Sequence, residues 1–306
     1  MIVRRGPRGE ASLTVYALPS LWTLAFSKGR SILPKCGCRR IMKIRRVPLP
    51  EVDKSGRLKP KDFSEILRAV PYKCVLIGGQ AVVWWAERYG IKMEVCGKEQ
   101  DITSRDIDFW GSRADLIATA RALNAVPAFP DRRELTAMVG AIGLSVAGKR
   151  TALEMVHAVP GIDSNDPFAV AMEESLADRK LLVMSPVSLV LAKLHALRHF
   201  NQTDRRDLFH PQVCLRASKL FIAESLAKDL RFALWNCNRL INAHHQKPNQ
   251  RLEQEHAFQI LSAIPINSIQ TAARDTTGPA EVRKELENFL TIQWPRVKRG
   301  PDFCGL

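Results

Sequence analysis

The spacing of apolar residues changes once along this chain. Up to about Met184, short apolar runs and period-two alternation mark strands separated by single helices; from Ser185 onward, apolar residues recur every three or four positions and mark helices only. Val75, Leu76 and Ile77 form a short buried strand that stops at Gly78-Gly79, and Gln80 to Tyr89 then follows a helical period through Ala81, Val82, Trp84, Trp85 and Tyr89. Asp106-Ile107-Asp108-Phe109 alternates, so a strand there puts both aspartates on one face and sends Ile107 and Phe109 into the core. Thr151 to Val159 alternates as well, with Leu153, Met155 and His157 opposite Ala152, Glu154 and Val156, and Leu181 to Met184 reads as a further short strand.

The helices between these strands carry start signals. Asp62-x-x-Glu65 reads as a capping box opening a helix through Phe63, Ile66, Leu67 and Val70, which Pro71 ends. Ser112 caps a helix to about Asn124, with Leu116, Ile117, Ala120 and Leu123 inward. Pro127 to Arg133 reads as a loop, and Leu135 to Ile142 is ambiguous between strand and helix, with the Gly140-x-x-Gly143 spacing favouring a bent strand or loop. Ser185-Pro186 then opens a helix to Leu197, with proline at the first helical position. Further helices are expected over Asp204–Arg216, Leu220–Asn242, Arg251–Ile264 and Ala280–Trp294. The fold class is α+β: a mixed β-sheet domain with flanking helices over residues 48–184, then a C-terminal helical domain over 185–306, joined near Met184-Ser185.

Composition changes this picture only at the N-terminus. The 306 residues are 46% hydrophobic and 25% charged, ordinary globular values, but the net charge is +15. Residues 1–50 hold eleven Lys/Arg against one acid, Glu10, so they carry +10 of that excess. The overall basicity therefore does not by itself point to nucleic acid. Residues 1–47 read as a basic tail, disordered or an upstream extension of the reading frame with Met42 as the start. The apolar run Val15–Phe26 is broken by Pro19 and Ser20, too short for a membrane span and without the cleavage site of a signal peptide. The seven cysteines are scattered; Cys36 and Cys38 are close, but no second pair completes a zinc site. Reduced thiols and a cytoplasmic location follow as expectations.

Candidate chemistry gathers in the first half. Two glycines at a strand-to-helix junction let backbone N–H groups approach an anion at the positive end of a helix, which suits a phosphate. A tight turn is the bland alternative. Asp106 and Asp108 side by side repel each other unless a cation neutralises them, which suits a divalent metal; two solvated acids at a strand edge are the alternative. A phosphate cradle followed by paired carboxylates is the layout of metal-assisted phosphoryl or nucleotidyl transfer. Other residues have plainer readings. His195 and His199 sit at i and i+4 without a third ligand, and Arg105 balances the acids beside it. Arg205, Arg206 and Asp207 read as a helix-start ion-pair network, His244-His245 as loop, and Trp84 and Trp85 as core and interface.

Gly78-Gly79, the helix behind it and Asp106-x-Asp108 resemble the DNA polymerase β-like nucleotidyltransferase superfamily, in particular its bacterial branch of abortive-infection and toxin–antitoxin nucleotidyltransferases. The resemblance continues through Leu153-Glu154-Met155, Val159-Pro160-Gly161, Ser185-Pro186, Lys193-Leu194-His195-Ala196-Leu197 and Arg206-Asp207, over roughly residues 70 to 215. It implies a nucleotidyltransferase-like sheet domain and a Mg²⁺-dependent enzyme that moves an NMP from an NTP to a hydroxyl acceptor. Asp106, Asp108 and Glu154 would be the catalytic and metal-binding residues for two Mg²⁺ ions; Gly78, Gly79 and Lys193 would bind the nucleotide. Glu154 stands where the family carries an aspartate, and Ile91 to Thr103 is an insertion relative to its compact members. The implied acceptor lies on tRNA or on a partner protein such as a cognate antitoxin, with no membrane partner. Two alternatives remain: a catalytically silent fold of this kind that binds nucleotide or RNA, and transfer to a small molecule such as an antibiotic.

Overall fold

The β1 strand, Val75–Ile77, lies inside a seven-stranded sheet, with all three of its residues buried. The computed structural model describes residues 58–95, 98–100, 102–131, 136–146, 148–163, 172–176, 179–199, 205–275 and 279–298. The basic tail with Met42, and cysteines 36, 38, 96 and 304, lie outside these residues. The described residues belong to one unit, Arg45–Leu306.

A 3-10 turn, Pro60–Phe63, leads into α1, Ser64–Ala69. This corrects the expected capping box. Asp62 does not open the helix; its carboxylate accepts a hydrogen bond from the Lys59 amide (2.8 Å), because Pro60 has already started the turn two residues earlier. After β1 come α2 (Gly78–Arg88), a separate hairpin of β2 (Met93–Val95) and β3 (Lys98–Gln100), β4 (Ile107–Trp110) and α3 (Arg113–Ala122). The hairpin occupies the stretch read as an insertion. Ser112 caps α3 as expected, and Asp115 answers it: Asp115 N–H donates to Ser112 Oγ, while the Ser112 amide donates to Asp115 Oδ2. Lys73 at 2.9 Å completes the partners of Asp115.

The remaining strands are β5 (Pro127–Ala128), β6 (Met138–Val146), β7 (Lys149–Val156), β8 (Met172–Leu176) and β9 (Arg179–Val183). The spatial order is β5-β6-β7-β4-β1-β9-β8. The central pairs β4–β7 and β1–β9 are parallel and the others antiparallel, so the sheet is mixed. Two of these strands differ from expectation: the loop read at Pro127 contributes β5, and β8 was not anticipated. The ambiguous stretch around Gly140 resolves as the long β6, whose pairing is irregular between Met138 and Gly140, as the favoured bent strand would be. Pairing with a neighbour decided each case, because polar or glycine-bearing segments such as MVGAIGLSV become strands once a partner ladder is in place.

The helical half begins with α4, Pro186–His199, whose N-terminus is held by Ser185 Oγ accepting from the Ser188 amide. It continues with α5 (Arg205–Leu226), α6 (Leu230–His245), α7 (Lys247–His256), a 3-10 turn (Ile260–Ala263), α8 (Ile266–Arg274), α9 (Ala280–Asn288), a π-helical turn (Phe289–Gln293) and α10 (Trp294–Lys298). The expected break between Arg216 and Leu220 is absent. The helix runs on to Leu226, and the stop comes before Asp229, whose side chain caps α6 by accepting from the Phe232 amide. Likewise α7 ends at His256 on a left-handed Ala257 instead of continuing to Ile264. His244 and His245 close α6 and are not loop; His244 Nδ1 lies 2.8 Å from Glu253 Oε2 on α7.

One contiguous core joins sheet and helices. Trp85 on α2 is its pivot: its Nε1 donates to the Met184 carbonyl at the end of β9 (2.8 Å), and its ring meets Phe221 of α5 edge-on at 5.6 Å. Cys74, Cys214 and Cys237 are buried free thiols. Among the described residues no helix is long and apolar enough to cross a membrane.

Candidate functional site

The site is built where β1 becomes α2 with no intervening loop. Gly78 has φ +65°, a left-handed conformation that costs a side-chain-bearing residue energy, and a Cβ there would also collide with Asp108 Oδ2. Glycine is therefore required twice over. At Gly79 a Cβ would strike Ser104 Oγ and would lie 3.3 Å from His210 Cε1. Gln80, fully buried, ties the same corner together: its Nε2 donates to the carbonyls of Leu58 (3.3 Å) and Ser104 (3.2 Å).

Asp108 sits between two strands, opposite Ile77 of β1 and opposite Glu154 of β7. Residues paired across neighbouring strands project to the same face, so Asp108 and Glu154 share a face while Phe109 and Met155 are fully buried behind it. Asp106 does not lie on the strand. It occupies the bend just before β4 and stays half-buried there. The strand expected to include Asp106 thus starts one residue later, because Ser104 pairs with Leu58 before the ladder to β7 begins. Asp106 nevertheless acts on both other acids through its charge.

Electrostatics define this trio. Burial, then the charges of Glu154 and Asp106, push the Asp108 carboxyl up to about 7. The positive charge of Lys193 on α4 and a hydrogen bond from the Gly79 amide work against that rise without cancelling it. Glu154 is raised by burial and then by Asp106; Asp106 is raised by burial and partly restored by Arg105. Arg105 therefore plays the charge-balancing part read from sequence. Asp106 thus raises both other acids and Glu154 also raises Asp108, so the trio is short of positive charge, and a cation beside it would relieve them.

The donor chemistry therefore fits a hard divalent ion such as Mg²⁺, with Asp106, Asp108 and Glu154 as the residues to hold it. As they stand, no group of three or more His, Cys, Asp or Glu side chains among the described residues is drawn together tightly enough to do so. Gly78, Gly79 and Lys193, the expected nucleotide-binding set, do meet at Asp108: Gly78 by contact, Gly79 by hydrogen bond and Lys193 by charge. The Gly79 amide is engaged by Asp108 in this conformation, so a phosphate at the start of α2 would share that donor or take it over.

The other candidates stay outside. His195 and His199 pack with tilted rings, centroids 4.3 Å apart, and burial followed by the charges of His199 and Arg198 lowers the His195 pKa. Trp84 is partly buried against the core and Trp85 buried within it. Arg205, Arg206 and Asp207 lie in α5, but their side chains are outside the described residues. Sequence reasoning missed Ser104 and His210. His210 is 7% exposed and lines up with buried Val213, Cys214 and Ala217 on one face of α5; that helical spacing was its only signal. Ser104, in a polar stretch, gave none. Comparisons with models of known protein families and with curated proteins find no match for this chain.

Proposed function

We propose that this chain is a Mg²⁺-dependent nucleotidyltransferase that moves an NMP from an NTP to an acceptor hydroxyl. The observation that carries the proposal is the pairing of Asp108 with Glu154 on one sheet face, directly against Gly78 at the start of α2 and within reach of the Lys193 charge. Acids that repel one another beside a helix N-terminus and a lysine provide for both halves of such a reaction: a cation and a polyphosphate.

Mg²⁺, held by Asp106, Asp108 and Glu154, would supply charge neutralisation at the transferring phosphoryl group. The chain's own residues do the rest. Lys193 and the first turn of α2 hold the triphosphate and take up the charge that grows on the leaving group. Glu154, made more basic by burial and by Asp106, accepts the proton of the acceptor hydroxyl. The freed oxygen bonds to the α-phosphorus, the bond from that phosphorus to the α,β-bridging oxygen breaks, and pyrophosphate leaves with the electron pair. The resemblance in sequence supports an acceptor on tRNA or on a partner protein such as a cognate antitoxin.

A second reading, a catalytically silent fold that binds nucleotide or RNA, draws support from the Gly79 amide being engaged by Asp108 and from the absence of a drawn-in three-ligand group among the described residues. One experiment separates the two. The purified chain is incubated with each α-labelled NTP, Mg²⁺ and total cellular RNA, alongside Asp108→Asn. Label transferred to RNA or protein by the wild type, and reduced at least about hundredfold in the variant, supports the enzyme. Nucleotide binding without transfer supports the silent fold, and equal transfer by Asp108→Asn sinks the catalytic assignment.

A further inference from the structure

Asp108 and Glu154 stand on paired strands, so the ladder between β4 and β7 fixes them. Asp106 has no such ladder. The register runs from Ile107 opposite Leu153 to Trp110 opposite Val156, and continued two residues back it would set Arg105 beside Thr151. The chain bends at Arg105 and Asp106 instead, and three successive carbonyls of this bend each accept a hydrogen bond from a side chain. The Ser104 carbonyl accepts from Gln80 Nε2 of α2 (3.2 Å) as well as from the Leu58 amide (3.0 Å). The Arg105 carbonyl accepts from Thr151 Oγ1 of β7 at 2.7 Å, the shortest of the set. The Asp106 carbonyl accepts from Ser104 Oγ (3.3 Å).

Thr151 is 2% exposed and Gln80 fully buried, so packing holds both donors in place. Threonine is also stiff at its first side-chain torsion, which keeps the hydroxyl aimed at the Arg105 carbonyl. Where the backbone ladder stops, this hydroxyl takes over. We infer that Thr151 is a positioning residue for the metal site: its hydroxyl holds the Asp106 bend against β7 and so sets where the Asp106 carboxylate stands relative to Asp108 and Glu154. The inference rests on the reading of these three acids as Mg²⁺ ligands and adds to it a residue that touches neither metal nor substrate. Gln80 anchors the same bend from α2, but it also holds the Leu58 carbonyl, so Thr151 is the cleaner place to test the idea. Removing a partner that orients a metal ligand lowers metal affinity by about 10- to 100-fold.

Thr151→Val keeps the branched shape and removes only the hydroxyl, whereas Thr151→Ser keeps the hydroxyl. Thr151→Ala serves, with the same expectation as the Val variant, if valine does not fit. Mg²⁺ binding to the full chain is read from the rise in melting temperature across a Mg²⁺ titration without nucleotide, which needs no turnover. Thr151→Val should weaken Mg²⁺ binding at least about tenfold and Thr151→Ser less than about threefold. Added to Asp106→Asn, Thr151→Val should cost less than about twofold more, because the hydroxyl acts through Asp106. Three results would overturn the inference and leave the metal site standing: unchanged Mg²⁺ affinity in a folded Thr151→Val protein, a Ser variant as weak as the Val variant, or an equal loss with and without Asp106. A wild-type chain that Mg²⁺ does not stabilise would overturn the nucleotidyltransferase reading itself, and this inference with it.

Discussion

Two polar regions of this protein, one on the sheet and one among the helices, are built in opposite ways. The sheet site crowds three carboxylates, two of them in register on adjacent strands, against the backbone of Gly78. The helical cleft places two arginines and three amide side chains from three helices around a small space. A sheet fixes its acids through the hydrogen-bonded ladder, so their separation hardly depends on side-chain packing. The helical cleft depends on how α4, α6 and α7 lean on one another, and side-chain bonds such as Arg198–Gln246 and Arg239–Ser188 hold that geometry. Both regions border α4: the Lys193 charge acts on Asp108 and Arg198 lines the cleft, five residues apart on one helix.

That contrast breaks most severely at the residue that joins the two halves. Trp85→Ala removes a fully buried ring, its hydrogen bond to Met184 and its contact with Phe221, and should destabilise the protein by about 4 kcal/mol. Chemical denaturation followed by circular dichroism checks this. A loss below about 1 kcal/mol would show that the sheet and the helices do not depend on this contact.

The next effect isolates the repulsion in the sheet site. A carboxyl raised in the folded state favours folding when protonated, so the contribution of Asp108 is fully present below about pH 4 and is lost as pH rises through about 7. In chelator, Asp108→Asn should match wild type near pH 4 and exceed it by about 3 kcal/mol at pH 8. Adding Mg²⁺ at pH 8 should raise the wild-type melting temperature and leave the variant nearly unmoved. Thermal melts across that range decide the matter; a variant less stable than wild type at pH 8 would mean that Asp108 is held by favourable partners and not by repulsion.

The smallest effect sharpens the assignment of Glu154. Glu154→Gln keeps the shape and removes one charge, so transfer should fall about tenfold, as on loss of a general base or a metal ligand. Glu154→Asp should retain more activity than Gln, because it keeps the carboxylate. Initial rates at saturating Mg²⁺ measure both. A Gln variant as fast as wild type would reduce the site to two working carboxylates.

Local order was readable in the chain wherever one residue's neighbours are close in sequence. Val75–Ile77, a helix through Gln80 behind the glycine pair, the Ser112 cap and the alternation around Glu154 follow from period and capping, which act over a few residues. The change from mixed strands and helices to helices alone after Ser185 was readable for the same reason. Partner ladders alone made strands of Pro127–Ala128 and Met172–Leu176, because a strand without strong alternation is defined by the neighbour it pairs with. Tertiary structure also moved Asp106 off the strand, put Glu154 opposite Asp108, and brought His210 from α5 to within van der Waals reach of the Gly79 position. The helical cleft was invisible in sequence, since Arg198, Arg239 and Asn249 are dozens of residues apart or on different helices and share no period. Periodicity reports which face a residue takes; only the packing of whole elements decides which faces meet.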